Sequence, residues 1–282
     1  MTINATNKLE KLFSLEGKVA AITGAGGVLF GAVARGMAEM GVKVVCLDLR
    51  LAEARKTADD IKVMGGEAMG IEVDVLKPDS VTKARDAVLA AYNRVDILIN
   101  GAGGNHPKAQ TNKEAGVYFP DLSVDGLRFT FDLNIMGTVI PAMIFGKVMI
   151  RQKEGVIINT SSMSADTPLS RGVAYAAAKA GVSSFTKWLA ADMALNHSSK
   201  IRVNEIRPGF FPTLQNADLI NKTPGTLTAT RSSDILGGTP MKRYGKPEEL
   251  IGAIVYLCSP SASFTTGSSV AIDGGFGSFS GV

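Results

Sequence analysis

The stretch Val19-Ala20-Ala21-Ile22-Thr23-Gly24-Ala25-Gly26-Gly27-Val28-Leu29-Phe30-Gly31 decides the fold. An apolar run of strand type turns through glycines into a segment, 29–40, with helical periodicity. Glycines at such a turn let the backbone approach a ligand closely, and the helix start offers free N–H groups, the arrangement that receives a pyrophosphate. Gly24, Gly27, Val28 and Leu29 are the candidate contacts. Glycine also serves plain tight turns, so a second signal is needed. Asp48 supplies it. It closes the second apolar run 24 residues after Gly24, where a carboxylate accepts from the ribose hydroxyls of NAD and repels the 2′-phosphate of NADP. Arg50 tempers that preference for NAD, because a guanidinium pairs with a phosphate.

Outward from this turn, strand-like runs at 19–23, 43–47, 68–73, 95–100, 156–160, 201–206 and 269–272 alternate with helical segments at 29–40, 51–64, 79–92, 124–150, 175–195 and 247–257. The alternation predicts an α/β fold: one Rossmann-type doubly wound domain over 15–282, with about seven parallel strands flanked by helices on both faces. Continuous apolar runs fit strands buried on both sides. Residues 1–14 read as a flexible extension, and the polar stretch 212–240 as a mobile insertion or lid beside the strand ends.

The chain has 282 residues, 45% hydrophobic and 20% charged, the balance of a well-cored domain. Its formal charge of +4 is spread without basic runs, which argues against a nucleic-acid partner. The apolar stretch near 135–150 is broken by Gly137, Pro141, Gly146 and Lys147, which argues against a membrane span. Cys46 and Cys258 read as buried free thiols of a cytoplasmic protein. Two His and two Cys, widely separated, support no metal site.

Tyr175 and Lys179 lie one helical turn apart, on one face of a helix. The pattern occurs on many amphipathic helices. Its chemical reading is a phenol whose pKa an ammonium lowers towards neutral, as alcohol–ketone chemistry requires. Ser162 lies 13 residues upstream, with Ser161 as the alternative. Strand ends carrying Asp74-Val75 and Asn100-Gly101-Ala102-Gly103 face the same crevice as the glycine turn.

In order along the chain, the Thr23-Gly24 turn, Asp48, Asp74, Asn100-Gly101-Ala102-Gly103, Asn134, Ser162, Tyr175-x-x-x-Lys179, Pro208-Gly209 with Thr213, and Asp273-Gly274-Gly275 resemble the short-chain dehydrogenase/reductase family. The resemblance covers almost the whole chain. It implies Tyr175 as general acid/base, Lys179 as its electrostatic partner and nicotinamide-ribose ligand, Ser162 orienting the reacting oxygen, and Asn134 holding a water next to Lys179. It also implies adenine contacts from Asp74 and Val75, a cofactor cleft lined by Asn100 and Ala102, nicotinamide contacts from Pro208, Gly209 and Thr213, and a homotetramer. Two departures stand out. The family's second and third turn glycines fall on Val28 and Phe30, and Gly101 replaces the second Asn of Asn-Asn-Ala-Gly.

The loop 101–109, the segment 207–216 and the tail 273–282 further resemble the D-mannonate oxidoreductase (fructuronate reductase) branch of that family. This implies a sugar-acid substrate, while NAD in preference to NADP rests on Asp48. A hexonate needs a cation and several polar donors. Asn105, His106 and Lys108 after the fourth strand, Arg171 ahead of Tyr175, and Gln215 and Asn216 are the candidates. Gluconate 5-dehydrogenase activity, or that of a polyol dehydrogenase, is the alternative within the enzyme class. A nucleotide-sensing protein is the alternative outside it.

Overall fold

The computed structural model describes residues 5–167, 169–213 and 227–279. Seven strands form one sheet: β1 Val19–Thr23, β2 Lys43–Asp48, β3 Ala68–Glu72, β4 Ile97–Asn100, β5 Gly155–Thr160, β6 Ile201–Pro208 and β7 Ser269–Ile272. Their order is β3-β2-β1-β4-β5-β6-β7, every pair parallel. The apolar runs mark the central strands because β1, β4 and most of β5 are buried on both faces. The edge strands β3 and β7 are only partly covered.

Alternate strand residues feed two separate cores. Ala20 and Ile22 join Phe30, Met37, Ile61 and Ile254, beneath α2 (Val28–Glu39), α3 (Leu51–Val63) and α9 (Ile251–Cys258). Val19 and Ala21 join Val88, Phe145, Met149 and Leu189, beneath α4 (Pro78–Tyr92), α6 (Gly137–Gln152) and α7 (Val173–Asn196). The run 124–152 is long and apolar enough for a bilayer by composition. More than half of its most apolar window is buried, and α6 packs on α4, β4 and β5 as a core helix.

Three local features add detail to the sequence reading. The 1–14 extension carries helix α1, Ala5–Phe13, whose Leu9, Leu12 and Phe13 share one face by spacing; the helix packs near the turn Pro260–Ala262. The single helix expected over 124–150 runs continuously over Val124–Gln152, with a π turn, Asp132–Met136, between its halves α5 (Val124–Phe131) and α6. The expected lid contains helix α8, Leu227–Gly238, anchored by buried Ile235 and by Ser232 bonded to Tyr244 at 2.7 Å. Leu214, Gln215, Asn216 and the rest of 214–226 lie outside the described residues, as do Pro168 and 280–282.

Strand order reverses between β1 and β4. Their carboxyl ends therefore flank the crevice where open α/β sheets take their ligands.

Candidate active site

The crevice begins at Gly24, whose φ of +71° is a left-handed conformation that glycine alone adopts readily. A Cβ there would also lie 3.0 Å from the backbone of Gly101 and Ala102. Thr23 Oγ1 accepts from the N–H groups of both Gly101 and Ala102, each at 3.1 Å, so β1 holds the loop after β4. The N-cap residue of α2, Gly27, has no side chain to take the helix's first N–H groups. The first bond in the ladder runs from Gly31 N to Gly27 O, at 2.8 Å. The N–H groups of Val28, Leu29 and Phe30 thus have no acceptor inside the helix, and with the helix dipole they suit a pyrophosphate. Asp48 is nearly buried and accepts from Gly26 N and Arg50 N, both at 3.0 Å. The Arg50 guanidinium is exposed, with Nε 3.8 Å from Asp48. Beyond β3, Asp74 accepts from Leu76 N at 3.0 Å and pairs with Lys77 at 3.1 Å, and buried Val75 completes that wall. This set of donors and small residues fits a dinucleotide.

The two departures from the family pattern meet in space. A Cβ on Gly101 would lie 2.3 Å from Cγ of Phe30. The buried Phe30 ring occupies the volume that an Asn at position 101 would need. The Asn100 side chain is 1% exposed and donates to Asn159 on β5 at 2.9 Å, joining two strands, while its Oδ1 has no hydrogen-bond partner among the described residues.

On the far side of the crevice the catalytic candidates converge. Asn134 is fully buried in the π turn, a feature frequent at functional sites. It donates to Gly104 O at 2.6 Å and to Thr130 O at 2.8 Å. The position a Cβ on Gly103 would take lies 2.8 Å from Asn134 Oδ1 and 3.3 Å from Lys179 Nζ, so both polar ends border one small volume. Lys179 is buried, donates to Thr160 O at 2.7 Å, and stands 5.5 Å from the Tyr175 ring centroid. Burial pulls its pKa down to about 8, against the opposing charge of Glu205. Ser162 Oγ accepts from Ser164 N at 3.2 Å. Ser161 points elsewhere, bonding Lys179 O at 2.9 Å and Ser183 at 2.8 Å, which resolves the serine pair in favour of Ser162. Burial raises the Tyr175 pKa and a hydrogen bond with Ser162 opposes the rise.

The substrate candidates divide. His106 is half-buried, stacks edge-on against Phe129 at 5.5 Å, and accepts from Lys108 N through Nδ1 at 3.1 Å, which leaves the neutral ring's proton on Nε2. Asn105 Nδ2 lies 3.1 Å from where a Cβ on Gly172 would sit, one turn before Tyr175. Lys108 is exposed on the turn Pro107–Ala109. Arg171 is not an unpaired cation: Glu114 holds its guanidinium at 2.9 Å. A cavity of about 390 Å³ opens at the carboxyl ends of β6 and β7, lined by Phe210, Phe211, Met241 and Asp273 among others. Pro208 and Gly209 precede it, and Gly209 N donates to Ile272 O at 2.9 Å. Thr213 is partly buried at the edge of the described residues. Sequence reasoning missed Thr23 as a loop anchor, Phe30 as the filler of the turn, and Glu205 beneath Lys179. Only Thr23 carried a signal, as the strand-end hydroxyl ahead of the glycine.

Residues 30–277 match the family model described as Enoyl-(Acyl carrier protein) reductase. The chain belongs to the short-chain dehydrogenase/reductase family. Among curated relatives of this dehydrogenase, the Uncharacterized oxidoreductase UxuB of Bacillus subtilis is 43% identical over 276 residues, 95% of this chain and 98% of the relative. A crystal structure from Haemophilus influenza, provisionally named a D-mannonate oxidoreductase and holding NAD, is 39% identical with a TM-score of 0.89, covering 97% of this chain and 100% of that one. A gluconate 5-dehydrogenase from Burkholderia cenocepacia, in complex with NADP and tartrate, is 30% identical with a TM-score of 0.85, covering 96% and 99%. This dehydrogenase is therefore an oxidoreductase that uses a nicotinamide cofactor.

Proposed function

We propose that the dehydrogenase interconverts a ketone and a secondary alcohol on a sugar acid, with D-fructuronate and D-mannonate as the pair and NAD(H) as cofactor. The observation that carries this reading is the convergence of Asn134, Ser162, Tyr175 and Lys179 beside a polar loop whose Asn105 borders the start of the catalytic helix and whose His106 packs on Phe129 of α5. The likeness to the NAD-bound Haemophilus protein supports the substrate, and nearly buried Asp48 supports NAD.

When bound, the nicotinamide supplies or accepts the hydride. The chain manages the proton. In the reducing direction the Tyr175 phenol donates to the developing alkoxide, while the Ser162 hydroxyl holds the same oxygen. In the oxidising direction the Tyr175 phenolate takes the proton, and the Lys179 cation favours that phenolate. Asn134 holds the Gly104 backbone in place beside Lys179.

Exposed Met136, Met143, Trp188 and Leu195 on the α6–α7 side support self-association, and we extend the proposal to a homotetramer. The buried free thiols Cys46 and Cys258, both pushed up to about 12 by burial, support a reducing, cytoplasmic setting.

The test follows NADH and NADPH oxidation with D-fructuronate and with 5-ketogluconate. The proposal predicts faster turnover with fructuronate and NADH. Turnover with 5-ketogluconate alone would assign a gluconate 5-dehydrogenase, and cofactor binding without turnover on any keto-acid would assign a nucleotide sensor.

A further inference from the structure

Glu205 lies on β6 directly under the catalytic helix and is completely buried, a costly place for a carboxylate. Its Oε1 accepts from Ser269 at 2.6 Å, Arg207 Nε at 2.7 Å and Ser183 at 2.8 Å. Its Oε2 is buried with no hydrogen-bond partner among the described residues. Ser183 Oγ lies 2.8 Å from Ser161 Oγ and 3.2 Å from the Lys179 carbonyl, and Ser161 donates to that carbonyl at 2.9 Å. Each hydroxyl has one proton while the carboxylate and the carbonyl only accept, so Ser183 donates to Glu205 and Ser161 to Lys179, with the two serine oxygens packed side by side. Arg207 continues the network outward to Asp166, in the turn after Ser162.

We propose that Glu205 is a positioning residue for the reaction: buried beneath the catalytic helix, its carboxylate anchors that helix through Ser183, one turn beyond Lys179, and thereby sets the surroundings of the Lys179 side chain. Around Lys179 the facing groups are the Thr160 carbonyl on β5, Asn134 in the π turn and the Tyr175 ring; Glu205 is the acid that acts on it. Arg207 Nε holds the same carboxylate at 2.7 Å, so removing the guanidinium leaves that charge less neutralised beneath the catalytic helix. Without Glu205, desolvation alone would act on Lys179 and strip its proton at lower pH. A neutral lysine no longer favours the Tyr175 phenolate. The inference rests on the family's oxidoreductase chemistry and is independent of the substrate.

The test is a ¹³C NMR titration of protein labelled at lysine Cε, with the Lys179 resonance identified by its loss in Lys179→Met. It needs neither cofactor nor substrate, so its outcome is separate from that of the sugar-acid assay. The wild-type resonance is expected to titrate near about 8. Glu205→Gln keeps the shape and an acceptor but removes the charge, and its midpoint falls by about one pH unit. Arg207→Gln removes the competing cation, and its midpoint rises. The alkaline limb of turnover moves in the same two directions. A purely structural role predicts lower thermal stability with unmoved midpoints. Unmoved midpoints, or shifts of the same sign in both variants, overturn the proposal. Should Glu205→Gln fail to fold, Arg207→Gln decides alone, and an unmoved midpoint there overturns it.

Discussion

At Tyr175 two effects oppose each other. Burial favours the neutral phenol, the Ser162 hydrogen bond favours the phenolate, and burial is the larger. A phenol held above its ordinary range stays protonated at neutral pH, available to donate and scarce as a base. The rate of alcohol oxidation should therefore climb with pH through the alkaline range, while ketone reduction is fastest at neutral pH or below; steady-state rates in both directions against pH check this. Asp48 acts at the other end of the cofactor. Asp48→Ala removes the carboxylate opposed to a 2′-phosphate, so NADH affinity should fall about tenfold and NADPH affinity rise, as read by fluorescence titration. Arg171 is held by Glu114, and a substrate carboxylate competes with that side chain. Glu114→Gln should lower KM for a sugar acid several-fold while leaving kcat unchanged; an unchanged KM would make Arg171 a loop anchor. The residue types were legible in the sequence, their electrical state was not. Spacing puts Tyr175 and Lys179 on one face, but only the packed helix shows that both are desolvated.

Elements explain the two departures from the family pattern. Read along the chain, Phe30 and Gly101 are unrelated oddities 71 residues apart. In the fold they touch, because the first turn of α2 leans over the loop that follows β4. Gly101→Ala should cost roughly 1–3 kcal/mol by overpacking. In the Phe30→Ala background, where the ring is gone, that cost should vanish. A double-mutant cycle on thermal unfolding would show coupling above about 0.5 kcal/mol if the two positions share one space. The strands were readable because buried parallel strands are plain apolar runs. The π turn at Asn134 was not, since its residues are ordinary helix residues and the Asn134 bonds to the Gly104 and Thr130 carbonyls exist only in the folded chain. The helix α8 was missed for a similar reason: a polar composition hid one anchoring residue, Ile235.

Across the whole molecule, the sheet separates two cores and delivers four strand ends to one crevice. The cofactor turn and the catalytic helix are therefore positioned by the most buried part of the protein. That burial has a consequence for stability. Unfolded Lys179 holds its proton to about 10.5, whereas the folded side chain releases it near about 8. Between those values the unfolded chain binds more protons, so this residue makes stability rise with pH over that window. Lys179→Met should be more stable than wild type at pH 7, with the gap closing towards pH 10 in denaturant titrations. The sugar-acid proposal depends on loop residues whose chemistry the sequence shows without their partners: His106 packs on Phe129, and Arg171 is engaged by Glu114. The central claim is proton transfer by Tyr175 during hydride exchange with a sugar acid. The most direct measurement is NADH oxidation with D-fructuronate by wild type and by Tyr175→Phe, alongside NADH binding to each. The account predicts rapid oxidation by wild type, loss of at least about 10²-fold in the variant, and similar binding in both; equal turnover by the two proteins would contradict it.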